Sequence, residues 1–299
     1  MFFRSIQLAD KPVFDQYFQQ RRYDNAECTF TNLYMWRKAY SIEWAQKDDF
    51  ICIKAAWQKG SPYILPPFGN RDGVGKILDK LMDYFQQNQW PFLMKGVTAD
   101  MVAAIERERP GLFCFQPDRN NFDYVYLVQD MVELKGRKYS KKNNHINYFK
   151  RNYQPYRYMT ITADLIPACK EMALAWYDTH NGEKEESLQF ELQAIHDVLD
   201  HYDYLGVQGG VIVIQDKLEG FTFGEPLNED TAVVHIEKGS GLRGIYQVIN
   251  QEFCANAWPH MKYVNREEDM GIEGLRQAKE SYYPVKMTEK YTATLKAEV

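Results

Sequence analysis

EKGSGLRG, residues 237–244, sets three glycines and an arginine immediately before a segment, Ile245–Ala257, that reads as a helix. The first amides of a helix have no intrahelical acceptor, and the helix dipole adds a partial positive charge there. Glycines let a backbone approach an anion closely. Gly239, Ser240, Gly241 and Gly244, with Arg243 adding a full charge, are therefore candidate ligands for a phosphate-bearing molecule. A glycine turn also serves as a plain connection, so the motif alone leaves both readings open.

The order of elements around the turn decides the fold class. Before it, Gly210–Ile214, Leu218–Phe223 and Ala232–Ile236 read as three strands. After it come a strand at Met261–Val264, the polar loop NREEDMG from Asn265 to Gly271, a helix at Ile272–Ser281 and closing strands around Val285–Lys296. Upstream, Tyr156–Thr162 reads as a strand and Leu165–His180 and Leu188–Tyr202 as helices. The first half repeats the order. Strands at Phe50–Ala55 and Tyr63–Leu65 lead to the turn PPFGN (Pro66–Asn70), a helix at Gly73–Gln87, a strand at Phe92–Lys95 and a helix at Ala99–Arg107. Strands near Leu112–Phe115 and at Tyr124–Val128 complete that half, and Lys11–Arg22 and Thr31–Lys38 open it as helices. The reading is a mixed α/β (α+β) protein built by structural duplication. The expected division is residues 1–134 as a first domain, 135–157 as a basic bridging segment and 158–299 as a second domain.

Composition sets the bounds. The 299 residues are 45% hydrophobic and 26% charged, which excludes fibrous and disordered classes and suits two domains with substantial cores. No run approaches 18 apolar residues, and MFFRSIQLADKP lacks the apolar stretch of a signal peptide, so the expected location is the cytoplasm. Cys28, Cys52, Cys114, Cys169 and Cys254 are odd in number and far apart, and read as reduced thiols. His180, His196, His201, His235 and His260 show no ligand spacing, and no metal is expected.

Net charge hides a polarised distribution. The chain carries 36 bases and 41 acids, yet Lys135–Ala163 holds eight bases and no acid, leaving 28 bases against 41 acids, or −13, elsewhere. Such a segment attracts phosphates, tRNA or an anionic lipid surface more strongly than the net charge suggests. Tyr139, Tyr148, Phe149, Tyr153, Tyr156 and Tyr158 are interleaved with the bases and suit base stacking. Equally, Ile146, Phe149 and Tyr153 form the buried stripe of an amphipathic helix over Ser140–Tyr153 with a solvated basic face.

From Gly210 onward the element order resembles the GNAT acyltransferase core, in which a glycine-rich turn at a helix N-terminus holds the pyrophosphate of coenzyme A. The family pattern is Gln or Arg, two residues, Gly, any residue, then Gly or Ala; with Gly239 and Gly241 matched, Ile236 stands at its first position. A resemblance covering most of the chain is carried by GRKYSKKNNHINYFKRNY (Gly136–Tyr153), LRGIYQVINQEF (Leu242–Phe253) and NREEDMGIEGLRQAKESYYP (Asn265–Pro284). Together these resemble a family of soluble bacterial proteins similar to the C-terminal catalytic domain of phosphatidylglycerol lysyltransferases. That group, like the Fem-type aminoacyltransferases, consists of two GNAT-like domains in tandem.

The resemblance implies an acyl- or aminoacyltransferase. Its donor would be acyl-CoA or an aminoacyl-tRNA, and its acceptor an amine or hydroxyl on a small molecule, peptide or lipid. It also implies coenzyme A or acyl-CoA as the cofactor where the GNAT chemistry holds. Glu267 is then the candidate base, with Glu268 and Asp269 read as favouring the following helix N-terminus. Lys279 is a substrate anchor or oxyanion stabiliser, and Tyr283, beside Tyr282, is the proton donor to a leaving thiolate. Asn265 and Arg266 would hold the acceptor, and Lys138, Lys141, Lys142 and His145 the phosphates. Against these stand a surface lysine at 279, packing tyrosines and a capped His145. The rival class is a non-catalytic module that binds tRNA or an anionic membrane surface.

Overall fold

The structure, a computed structural model, describes residues 1–58, 60–180 and 185–296. The chain forms two compact units. One comprises residues 1–123, 268–271 and 288–299, the other residues 124–267 and 272–287. The expected linear division at 134 and 157 differs from these bounds. The division falls between Asp123 and Tyr124, at the start of the strand Asp123–Leu127, and the basic segment belongs wholly to the second unit.

Each unit carries one sheet, and the two sheets share a topology. In the first, Arg4–Ser5, Glu43–Lys47, Phe50–Ala55 and Tyr63–Ile64 pair antiparallel in turn; Tyr63–Ile64 then runs parallel to Leu93–Thr98. Lys290–Leu295 and Phe113–Pro117 continue that sheet antiparallel. In the second, Tyr156–Thr160, Gln208–Ile214, Lys217–Pro226 and Thr231–Gly239 pair antiparallel, and Thr231–Gly239 runs parallel to Tyr263–Asn265. Asp123–Leu127 and Lys286–Thr288 complete it. The duplication read from element order is thus a duplication of sheet topology.

In each unit the helix following the fourth strand covers the sheet. Val74–Gln87 buries Ile77, Leu78, Leu81 and Phe85 on one stripe against the first sheet. Ile245–Ala257 does the same with Ile245, Val248, Ile249 and Phe253. Elements read as strands and helices in the sequence recur within a few residues. Among those not read are the strand Glu43–Lys47 and the helix Val128–Glu133, besides the shorter Arg4–Ser5, Phe68–Gly69 and Tyr202–Leu205. The first, EWAQK, is too polar to stand out, and the second is a single short amphipathic turn. The helix at Lys11 ends at Phe18 rather than Arg22. The five cysteines are free, four of them buried.

Sequence order is broken at one place in each sheet. The strand Lys290–Leu295, last in the chain, lies between Leu93–Thr98 and Phe113–Pro117 of the first unit. It carries Lys290 into that unit's interior, where Nζ lies 2.6 Å from Asp123 and 2.7 Å from Glu27 at zero exposure. Burial opposes the charge, but Asp123, Glu27 and Glu268 outweigh it and hold the ammonium well above its ordinary pKa. Removing one member of a buried ion pair leaves the others uncompensated. Lys290→Ala is therefore expected to destabilise the first unit by about 3–5 kcal/mol, measured by urea unfolding; a loss below about 1 kcal/mol would show that water screens the two carboxylates.

Candidate active site in the second unit

The second sheet is opened by its own pairing. Thr231, Ala232 and Val233 oppose Tyr263, Val264 and Asn265, after which the parallel register ends while the longer strand continues to Gly239. On its other side the antiparallel ladder slips: Phe223 opposes Ile236 and Gly224 opposes Val234, so His235 has no opposite residue. Bulges of this kind re-aim side chains and terminate pairing. Here the bulge turns His235 and Glu237 to new partners where the strands separate.

His235 is a buried link between two carboxylates. Its Nε2 lies 2.9 Å from Glu225 Oε1 and its Nδ1 2.8 Å from Glu267 Oε1. Ionised carboxylates only accept, so both ring nitrogens donate and the ring is an imidazolium. Burial works against that charge, but the hydrogen bonds to Glu225 and Glu267 outweigh it and raise the pKa to about 9. Glu267, read from the sequence as a base, is thus engaged by the buried imidazolium. It sits at φ 54, and its N–H donates to Asn265 Oδ1 at 2.8 Å, so the fully buried Asn265 shapes the loop. Asp269 also differs from its helix-terminus reading: it is fully buried and paired with Arg119 at 3.0 Å, within the first unit.

Beside this link lies a second polar cluster. Arg266 Nη2 is 3.3 Å from both oxygens of Glu237, and Asn250 Nδ2 is 3.0 Å from Glu237 Oε2. The guanidinium lies 5.2 Å from the Tyr282 ring and 5.9 Å from that of Tyr126. Burial alone would weaken its charge; Glu237 overrides that and strengthens it. Lys279 donates to the Arg266 carbonyl, and Tyr126 Oη donates to the Lys279 carbonyl at 2.8 Å. Lys279 therefore acts on this cluster by anchoring the loop that presents Arg266. Of the two tyrosines, Tyr282 is buried in the cluster. Tyr283 is 46% exposed, with its ring 5.3 Å from Lys138 Nζ.

The glycine turn and the basic helix, Ser140–Asn152, pack together. Gly244 caps Ile245–Ala257 at φ 93, and a Cβ there would lie 2.5 Å from the His145 carbonyl. That glycine is required by the close helix as much as by any ligand. Ser240 N–H donates to the Glu219 carbonyl at 2.9 Å, Gly239 is crowded by Ile245, and Gly241 faces open space. Arg243 lies 4.4 Å from the Tyr148 ring. Burial, Arg243 and Lys142 together depress the pKa of His145. Lys142 Nζ sits 4.0 Å from the Tyr282 ring. Among the described residues, Arg137, Lys138, Lys141, Lys142, Lys150 and Arg151 have no carboxylate partner, whereas Lys135 pairs with Glu133 and Arg157 with Asp216.

The structure thus groups Lys142, Arg266, Asn265, Glu267 and Lys279 around the separated strands, and Lys138 with Tyr283 and Arg243 with His145 beside the turn. Lys141 stays on the exposed side of its helix. Sequence reasoning missed Glu225, His235, Glu237 and Asn250. The available signal was TAVVHIEKG, where a histidine and a glutamate interrupt an apolar strand. Among the described residues no group of His, Cys, Asp and Glu is arranged to hold a metal, and no helix is long and apolar enough to cross a membrane.

This arrangement, two GNAT-like units with one opened sheet, defines an acyltransferase-type fold. The family model of the phosphatidylglycerol lysyltransferase C-terminal region matches residues 18–294, and the chain belongs to that family. A conserved protein of unknown function from Bacteroides thetaiotaomicron is 38% identical with a TM-score of 0.91, over 98% of this chain and 99% of that one. The L-PGS of Bacillus licheniformis is 13% identical with a TM-score of 0.67, over 97% of this chain and 93% of that one. A tandem GNAT protein of the clavulanic acid biosynthesis pathway shares the fold at a TM-score of 0.50 and 10% identity, over 100% and 99% of the two chains. The chain spans about half of the curated relative it matches, an uncharacterised protein of Mycoplasmoides gallisepticum: 21% identical over 170 residues, 56% of this chain and 54% of that protein.

The His235 link gives a pH signature. Because the folded pKa lies above the unfolded value, its stabilisation is fully present below about pH 6.5 and is lost as pH rises through about 9. The unfolding midpoint should therefore fall by roughly 5 °C between pH 6.5 and 9.5, and His235→Gln should flatten that slope. An equal slope in the variant would place the titration elsewhere.

Proposed function

We propose that the protein is an aminoacyltransferase that takes its aminoacyl group from a tRNA and passes it to an amine or hydroxyl acceptor at the opened sheet of the second unit. The observation that carries this reading is the row of six bases on and beside the basic helix with no carboxylate partner. A solvated structural helix gains from pairing its charges; a row left unpaired suits a polyanion. Lys138, Lys141 and His145 would meet the tRNA phosphates, with Arg243 and the amides of Gly241 and Gly244 extending that surface. Exposed Tyr283, beside Lys138, suits stacking on a terminal base. Belonging to the phosphatidylglycerol lysyltransferase C-terminal family supports the same transfer chemistry.

Three features weigh against acyl-CoA as donor in this unit. Ile236 is buried where the coenzyme A pattern has Gln or Arg. The Ser240 amide is already taken by the Glu219 carbonyl. Arg266 and Glu237 span the gap between the separated strands. In the proposed reaction Arg266 and Asn265 shape the acceptor side, and Lys279 positions them through the Arg266 carbonyl. The Glu267 carboxylate, oriented by His235, faces the positive charge that grows on an attacking amine. Glu267→Gln should lower turnover about 100-fold with little change in binding, and a fully active variant would remove Glu267 from the reaction.

A non-catalytic tRNA- or membrane-binding module would use the same basic surface, and Ile236 at the head of the glycine pattern favours it. Turnover separates the two. Binding of aminoacyl-tRNA should weaken steeply with salt, and Lys138→Ala, Lys141→Ala and Lys150→Ala combined should reduce the log–log salt slope by about 2–3, followed by fluorescence anisotropy. Release of deacylated tRNA only when an acceptor is present supports transfer; binding without release supports the module. A coenzyme A species that raises the unfolding midpoint, with the effect lost in Arg243→Ala, would overturn the choice of donor.

A further inference from the structure

We propose that Lys142 is the proton donor to the leaving ribose oxygen when the aminoacyl ester is cleaved in the second unit, and that Asn250 receives the neighbouring ribose hydroxyl. This rests on the aminoacyltransferase reading above.

The placement of Lys142 sets it apart from the other bases. Of the six unpaired bases, Arg137, Lys138, Lys141, Lys150 and Arg151 are exposed, whereas Lys142 is half-buried and turned inward. Its Nζ lies 4.0 Å from the centroid of the Tyr282 ring, which the Arg266 guanidinium also approaches at 5.2 Å. Two cations thus address one ring. Among the described residues the carboxylate acting on both is Glu237, already engaged by Arg266 and Asn250. The other groups facing this space are the buried Tyr282 phenol, Cys254 and Asn250 on Ile245–Ala257, and His145 on the lysine's own helix.

Asn250 supplies an independent observation. It is 3% exposed, and its Oδ1 is buried without a hydrogen-bond partner among the described residues. Glu237 only accepts, so Nδ2 must face it and Oδ1 cannot be exchanged into that position by rotating the amide. A buried carbonyl oxygen without a donor is costly. The cluster therefore offers an unpaired ammonium and an unsatisfied acceptor together. A vicinal diol fits both: one oxygen departs and takes a proton, and the other keeps its hydroxyl and donates it.

The step balances. The acceptor's nitrogen or oxygen lone pair attacks the ester carbonyl carbon, forming the new C–N or C–O bond. As the tetrahedral intermediate collapses, the bond from the carbonyl carbon to the ribose oxygen breaks, and that oxygen takes a proton from the Lys142 ammonium. The proton lost by the acceptor returns to the Lys142 amine, leaving the enzyme unchanged. A proton donor of this kind works best when its affinity lies near the working pH. Burial and Arg266 depress Lys142, partly offset by Glu237, to about 8.

Competitive labelling of the whole protein with acetic anhydride from pH 6 to 10.5, followed by peptide mapping, tests the amine without any reaction. Lys142 should reach half its maximal reactivity near pH 8, well below the ordinary lysine value of about 10.4. Glu237→Gln should move the Lys142 midpoint lower. Lys142 titrating with the exposed lysines overturns the proposal. Single-turnover release from aminoacyl-tRNA with an acceptor then tests the role. Lys142→Arg, which keeps the charge, and Lys142→Ala should each slow release about 100-fold and abolish a basic limb near pH 8. The Kd for tRNA in Lys142→Arg should change less than about threefold, within the uniform-binding limit for a contact used only in the chemical step. An unaltered rate and limb in Lys142→Arg would overturn the proton-donor role while leaving the aminoacyltransferase reading intact. A wild-type protein that labels as expected but releases nothing with any amine or hydroxyl acceptor would overturn both.

Discussion

The second unit depends on one short pairing. A parallel register of three residue pairs joins Thr231–Gly239 to Tyr263–Asn265 and then ends, so six residues of a central strand continue without a parallel neighbour. A strand in the middle of a sheet normally has every amide and carbonyl paired. The exception is sustained by the bulge at His235 on one side and by side chains on the other. Arg266 reaches Glu237, Lys279 holds the Arg266 carbonyl, and His235 bonds to Glu225 and Glu267. Removing each charge from water offsets much of what pairing returns, so the net stabilisation is small beside the attraction itself. The effect of these charges is positional: Arg266 and Glu237 meet across the two strands where the parallel pairing has ended.

Unlike a surface ion pair, the Arg266–Glu237 contact is shielded, with both side chains mostly buried. It shares Glu237 with Asn250 and Tyr282 with Lys142, so a change at one group is felt by the rest. The basic helix therefore contributes to the second unit in two ways. Its outward lysines form a surface charge, while Ile146, Phe149 and the backbone at His145 pack it against the glycine turn. The apolar stripe and the basic face, which stood as rival readings of one sequence, are two sides of the same helix.

Fold was legible because it rests on periodicity and punctuation. Long apolar helices such as Val74–Gln87 and strands such as Phe50–Ala55 stand where the pattern puts them. The order of elements around PPFGN and EKGSGLRG revealed the duplication without any repeated residues. What could not be read was the path of the last strand, because Lys290–Leu295 inserts into the sheet of the first unit, far from its sequence neighbours. The site was legible only in part. NREEDMG marked the loop, but its surroundings depend on contacts across the sheet: Glu267 meets a histidine 32 positions away, and Lys279 reaches the Arg266 carbonyl. Asn250 and Glu237 carried no motif at all, since burial and not spacing makes them notable.

Duplicated topology also explains how two similar units come to differ in chemistry. In each, the helix after the fourth strand points its unsatisfied amides toward whatever lies before it. In the first unit that place is occupied by the chain itself: Gly73 and Gly75 amides donate to the two oxygens of Glu108 at 2.9 and 2.8 Å. A carboxylate there satisfies the donors and the dipole and leaves nothing for an external anion. In the second unit the equivalent turn holds Arg243 and no acidic residue between Gly239 and Gly244. The difference of a single internal carboxylate separates a helix end that the chain itself closes from one whose turn holds none. The same substitution of an internal group for a ligand recurs at Lys290, whose buried ammonium neutralises Asp123 and Glu27 within the first unit. The first unit thus matches these two features from within, while in the second the bases along the helix Ser140–Asn152 keep no carboxylate partner among the described residues and Asn250 keeps an unsatisfied amide oxygen.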